Sequence, residues 1–205
     1  MALPLSTYMP SLISRILRPF STTTTSSMAI TPESLAARNI PENAQKATFA
    51  AGCFWGVDHL FRKHFGSGKG LLDARVGYCG GDTTAPSYRS VCSGRTGHAE
   101  ALQILFDPSI VNYRQLLEFF YRMHDPTTLN RQGGDVGTQY RSAIFTHSAE
   151  QQDIAEKVAD KVGKEWWKGK PISTVVTPAG TWWDAEDYHQ LYLDNNPGGY
   201  ECPAQ

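Results

Sequence analysis

Two spacings of apolar residues alternate along this chain, and the switches between them mark out its elements. Lys46-Ala47-Thr48-Phe49-Ala50-Ala51 is short, apolar and free of breakers, which predicts a buried strand. Directly after it, Val57, Leu60, Phe61, His64 and Phe65 recur at the spacing of one helix face, and Gly66-Ser67-Gly68 ends that helix. Leu72, Ala74, Val76 and Tyr78 then alternate toward Gly80-Gly81, the pattern of a strand running into a turn. A polar, glycine-containing segment from Asp82 to Gly97 separates it from another apolar strand, Ala101 to Phe106, which Asp107-Pro108 halts. Tyr113, Leu116, Leu117, Phe120 and Met123 line one face of an amphipathic helix. Asp125 to Gln139 is too polar and glycine-rich for a core element, and loops of that length usually carry function. Ser142 to His147 reads as a strand, Ser148 and Gln151 as a capping box for a helix over Ile154–Val162, and Ile172, Thr174 and Val176 as a further strand. Strands alternating with helices predict a sheet with helices packed against it, of the α/β or α+β class.

The length, 205 residues, suits one folded domain over 41–205 preceded by an extension over 1–40. The first 32 residues hold no Asp or Glu, two arginines (Arg15 and Arg18) and a run of Thr and Ser. That composition predicts a disordered segment of the organellar transit type, with a weak amphipathic helix of the mitochondrial pattern. Met28 offers a second start, so mitochondrion, cytoplasm or both are the expected locations. A net charge of -1 and a pI near 6.6 argue against a nucleic-acid surface. No apolar stretch approaches the roughly 20 residues that cross a bilayer. Cys53, Cys79, Cys92 and Cys202 are dispersed without a C-x-x-C pair, which argues against a metal site and for reactive thiols in an intracellular protein.

Gly52-Cys53-Phe54-Trp55-Gly56 changes the picture most, because it sets a thiol between a strand and a helix start, beside two large rings. First-turn N–H groups lack intrahelical partners and carry partial positive charge, so they favour thiolate over thiol. Phe54 and Trp55 can enclose a small apolar group next to that sulfur. Glu100 lies where a polar loop enters an apolar strand; burial there raises a carboxyl's pKa and leaves it fit to act as an acid. Gly133-Gly134-Asp135-Val136-Gly137 permits close backbone approach, so that Asp135 and Tyr140 can reach inward, with Tyr88 as a further hydroxyl. The same residues leave two other readings open. One is a Cys–His acyl hydrolase with His98 as base; the other is a redox-sensing binding module that grips its partners through Phe54 and Trp55 without turnover.

Four segments carry a resemblance: Gly-Cys-Phe-Trp-Gly at 52–56, Ser-Gly-Arg-Thr-Gly-His-Ala-Glu at 93–100, Gly-Asp-Val-Gly-Thr-Gln-Tyr-Arg-Ser at 134–142 and Ala-Glu-Asp-Tyr-His-Gln at 185–190. In this order they closely resemble the peptide methionine sulfoxide reductases of the A type. The resemblance implies a mixed sheet flanked by helices with a long C-terminal coil, and reduction of the S epimer of methionine sulfoxide, free or in oxidised proteins. Cys53 would be the nucleophile and Glu100 the proton source, with Tyr88, Tyr140 and Asp135 polarising the oxygen. Phe54 and Trp55 would hold the methyl group. Cys202 would resolve the resulting sulfenic acid and thioredoxin would restore the enzyme, a monomer with no bound cofactor. Many relatives carry two cysteines in this tail; here Cys202 stands alone, and Cys79 and Cys92, in or beside predicted core elements, read as inert packing.

Overall fold

The computed structural model describes residues 40–200. The expected leader, all but its last residue, and Cys202 lie outside the described residues. A six-stranded sheet has the order β7-β6-β1-β3-β2-β8. Its strands are β1 (Gln45–Ala51), β2 (Leu71–Cys79), β3 (Ala99–Phe106), β6 (Ser142–Thr146), β7 (Val175–Pro178) and β8 (Trp183–Asp184). All neighbours pair antiparallel except β6 and β7, so the sheet is mixed. A two-stranded hairpin, β4 (Arg131–Gln132) with β5 (Asp135–Val136), sits inside the long polar loop.

Three longer helices cover one face: α1 (Phe54–Phe65), α3 (Tyr113–Met123) and α4 (Ala149–Glu165). The period of two along each strand turns Ala47, Phe49 and Ala51, and likewise Leu102, Ile104 and Phe106, toward them. Phe49 is the centre of this layer, with Phe61 at 5.2 Å and Phe120 at 5.4 Å between ring centroids. The opposite face carries small residues, Ala50, Ala99, Ala101 and Ala143, with Cys79 and Phe145, and the chain after β7 lies on it through Ala179 and Trp182. Gly77 makes that approach feasible, since a Cβ there would stand 2.3 Å from the Trp183 carbonyl oxygen. Among the described residues no helix is long and apolar enough to cross a membrane.

Three local expectations are corrected by the fold. The polar segment after β2 contains a short helix, α2 (Tyr88–Cys92), started by a reciprocal cap: Ser90 N–H donates to Ser87 Oγ at 3.3 Å and Ser87 N–H to Ser90 Oγ at 2.9 Å. Only half of the Ser148–Gln151 box forms. Gln151 N–H donates to Ser148 Oγ at 3.1 Å, but the Gln151 side chain accepts from His147 N–H and donates to the Lys46 carbonyl, tying α4 to β1. The strand expected around Ile172–Val176 is displaced to Val175–Pro178, where pairing with β6 sets the register, and Ile172 packs against Gly163 of α4 instead.

Candidate active site

Gly52 takes φ 91°, a conformation that side chains resist, and turns the chain from β1 into α1. Cys53 is therefore the N-cap residue of α1, 7 % exposed, at the edge of the core. The β1–β3 register pairs Phe49 with Leu102, so the end of β1 lies beside the start of β3, where Glu100 stands. Glu100 shares its face with Leu102 and Ile104, is 1 % exposed, and accepts the N–H of Phe54 through Oε2 at 3.1 Å. That N–H is one of the orphan donors of the first helical turn. Burial pushes the Glu100 carboxyl from 4.5 up to about 8; the Phe54 N–H opposes the shift and the Asp135 charge adds to it. A neutral carboxylic acid thus lies one residue from a thiol, in a site that excludes most water.

Two tyrosines flank this pair. Tyr88 opens α2, and its hydroxyl pKa is raised by burial first, then by a hydrogen bond with the Cys92 thiol and by Glu100. Tyr140 ends a 3-10 turn, Thr138–Tyr140, that follows the β4–β5 hairpin; burial, then Glu100, Cys92, Asp135 and Cys53 raise its pKa. Both hydroxyls stay protonated and can donate. Asp135 reaches the same cluster, but Oδ1 accepts the Tyr200 hydroxyl at 3.0 Å, and Oδ2 is buried without a hydrogen-bond partner among the described residues. Phe54 is buried between Tyr78, at 6.0 Å, and His189, at 5.1 Å. Trp55 is half-buried, and Tyr192 stacks on one of its faces at 3.7 Å. All seven candidate residues within 40–200 therefore come from four separate stretches of chain to one end of the sheet.

His98 does not join them. Its Nδ1 accepts from Gly81 N–H at 3.2 Å and its Nε2 meets the Thr83 carbonyl at 2.8 Å, so both ring nitrogens tie the turn after β2. A His98 base for an acyl hydrolase has no free nitrogen. Cys79 is buried on the far face of the sheet, as expected for inert packing. Cys92 corrects that expectation: it ends α2 exposed, bonded to the Tyr88 hydroxyl. Side chain direction on so short a helix depends on what α2 docks against. Among the described residues no group of three or more His, Cys, Asp or Glu is placed to hold a metal ion.

The segment 185–190 contributes residues that local pattern did not single out. Glu186 accepts the Tyr78 hydroxyl at 2.8 Å and the Tyr88 N–H at 2.9 Å. The Gln190 amide both accepts from and donates to the Val76 backbone, at 3.0 and 2.9 Å, so it acts like a strand residue beside β2. Asp184, which stands out just before this segment, accepts from Arg75 Nε at 3.0 Å and from the Trp182 indole at 2.8 Å. The one signal in sequence for these roles is the 185–190 motif itself.

Comparison with known proteins agrees with this geometry. The family described as peptide methionine sulfoxide reductase matches residues 45–205. The peptide methionine sulfoxide reductase MsrA of Methanoculleus marisnigri is 48% identical over 160 residues, covering 78% of this chain and 95% of its own. Reduced Mxr1 from Saccharomyces cerevisiae superposes with a TM-score of 0.75 at 43% identity, over 80% of this chain and 92% of that one. Mxr1 in complex with Trx2 superposes with a TM-score of 0.53 at 31% identity, over 74% and 86%. With the family matched across the whole sheet and the site, this chain belongs to the peptide methionine sulfoxide reductases of the MsrA type.

Proposed function

We propose that this protein reduces methionine-S-sulfoxide through a sulfenic acid at Cys53 and is recycled by thioredoxin. The observation that carries the reading is the buried Glu100 carboxyl, pushed up to about 8 and bonded to the backbone N–H next to Cys53. The reduction of methionine sulfoxide to methionine follows from the family. Cys53 sulfur attacks the sulfoxide sulfur while Glu100 delivers a proton to the oxygen, with Tyr88 and Tyr140 as further donors. The sulfur–sulfur bond made in that attack then breaks together with the substrate's sulfur–oxygen bond as the protonated oxygen passes to the Cys53 sulfur, so that methionine leaves reduced by two electrons and Cys53 is left oxidised as a sulfenic acid. Phe54 and Trp55 hold the methyl group.

Cys202 then condenses with the sulfenic acid, releasing water and leaving a disulfide, which a thioredoxin dithiol reduces by exchange. The Tyr200 hydroxyl on Asp135 supports this, because it holds the chain at the rim of the site two residues before Cys202. The Trx2 complex of the yeast relative supports thioredoxin as the reductant. Asp135 then has two tasks, anchoring the tail through Oδ1 and raising the Glu100 pKa through its charge.

Dabsylated methionine sulfoxide of each epimer, incubated with the protein and a dithiol, tests the reading. The S epimer is expected to lose its oxygen; no turnover of it overturns the proposal. Cys202→Ser is expected to give one methionine per enzyme and then stop when thioredoxin is the only reductant. Full thioredoxin-dependent turnover of that variant would shift the resolving role to another thiol, of which Cys92 is the exposed one.

A further inference from the structure

His189 is a buried, titratable side chain that the reaction as proposed leaves unused. It is 1 % exposed and closes the 3-10 turn Asp187–His189. Its Nδ1 accepts the indole N–H of Trp55 at 3.0 Å, a bond that joins the C-terminal coil to the first turn of α1 across 134 residues of sequence. An imidazole that accepts at Nδ1 carries its proton on Nε2. That Nε2 has no hydrogen-bond partner among the described residues, and Glu186 Oε2 lies 3.9 Å away. Burial holds the ring's pKa below the ordinary histidine value, with the Glu186 charge opposing, so the acceptor at Nδ1 persists at neutral pH. The rings of Phe54, Tyr88 and Tyr188, at 5.1, 4.5 and 4.1 Å, fix the imidazole itself.

Trp55 is thereby held in two different ways. Tyr192 stacks on it at 3.7 Å with 11° between the planes, which sets the plane of the indole but tolerates sliding and turning within it. The bond to His189 is directional and removes that freedom. We propose that His189 is a positioning residue for methyl recognition: by accepting the Trp55 indole N–H it fixes the orientation of the ring against which the sulfoxide's methyl group packs. This rests on the methyl-holding role assigned to Trp55 above. Glu186 completes the bracket from the same turn, holding the Tyr88 backbone and the Tyr78 hydroxyl.

The test compares His189→Leu, which removes the acceptor, with His189→Asn, whose amide oxygen stands near the place of Nδ1. The Trp55 indole N–H resonance, assigned with Trp55→Phe, and the kinetics with methionine-S-sulfoxide are both read. In His189→Leu the resonance is expected to move upfield and exchange faster, and KM to rise about tenfold, the effect of one lost hydrogen bond, while kcat changes little. His189→Asn is expected to restore both. An unmoved resonance or an unchanged KM in His189→Leu overturns the proposal, as does a folded His189→Asn that restores neither. If leucine prevents folding, His189→Gln replaces it, because its longer amide reaches past the Nδ1 position; it should give the same KM rise. Trp55→Ala separates this inference from the reading beneath it. An unchanged KM there refutes the methyl-holding role of Trp55, whereas a raised KM in Trp55→Ala with an unchanged KM in His189→Leu refutes the positioning role alone.

Discussion

Replacing Glu100 by glutamine is expected to lower kcat/KM for methionine-S-sulfoxide by about 10²- to 10⁴-fold, the usual range for a lost general acid. Glutamine keeps an oxygen for the Phe54 N–H, so the first turn of α1 stays tied to β3 and the loss reports the proton. The same proton sets a pH profile. With its pKa pushed up to about 8, the Glu100 carboxyl is mostly protonated at neutral pH, and wild-type kcat/KM should fall as pH rises through that value. The glutamine variant should lack this alkaline limb. Unaltered kinetics in Glu100→Gln, or an alkaline limb that survives the substitution, would remove Glu100 from the mechanism.

For stability the same substitution acts in the opposite sense. The folded-state pKa of Glu100 lies above its unperturbed 4.5, so its contribution is fully present below that value and is lost as pH rises to about 8. Glu100→Gln removes this titration, and its Tm relative to wild type should climb between acid and mildly alkaline pH. A Tm difference that stays flat across the window would contradict the raised pKa. The site thus holds a group that weakens the fold at working pH, the trade expected where a carboxyl must keep its proton.

Cys53→Ser is expected to abolish methionine formation altogether, including the single turnover that Cys202→Ser retains. Serine fits a position 7 % exposed at the N-cap, and serine is a favoured N-cap residue, so the fold should persist. Its oxygen, however, is a far weaker nucleophile than sulfur and cannot take the substrate's oxygen as a sulfenic acid. The measurement is methionine released per enzyme in one rapid-mixing turnover with dithiol-free protein. Stoichiometric release from the serine variant would place the nucleophile at another thiol.

Much of the layer that positions the site is legible locally. The apolar run before Cys53 and the helical spacing after it specify a strand, a turn and a helix start from neighbouring residues alone. Glu100 is similar: counting by twos from Leu102, Ile104 and Phe106 already puts it on the apolar face of β3. Helix α2 escapes such a reading because five residues span too little of a helical period, and its cap uses two serines rather than the usual acid or amide partner. Strand β8, two residues long, has no pattern of its own and exists because Gly77 lets Trp183 approach β2. The exposure of Cys92 escapes the sequence for a related reason. Its place beside an apolar residue, Val91, says nothing about which way the end of a short helix faces.

Neighbouring residues alone specify a thiol at a helix start next to two rings and a carboxyl that enters the core with an apolar strand. These depend on residues within a turn or two of each other. The protonation of Glu100, the donor state of Tyr88 and Tyr140, and the orientation of Trp55 arise only once the chain is folded. Desolvation and directional bonds are set by whatever surrounds a group in space, and here those surroundings arrive from the hairpin at 131–136 and the coil at 185–200, long stretches of chain away from Cys53.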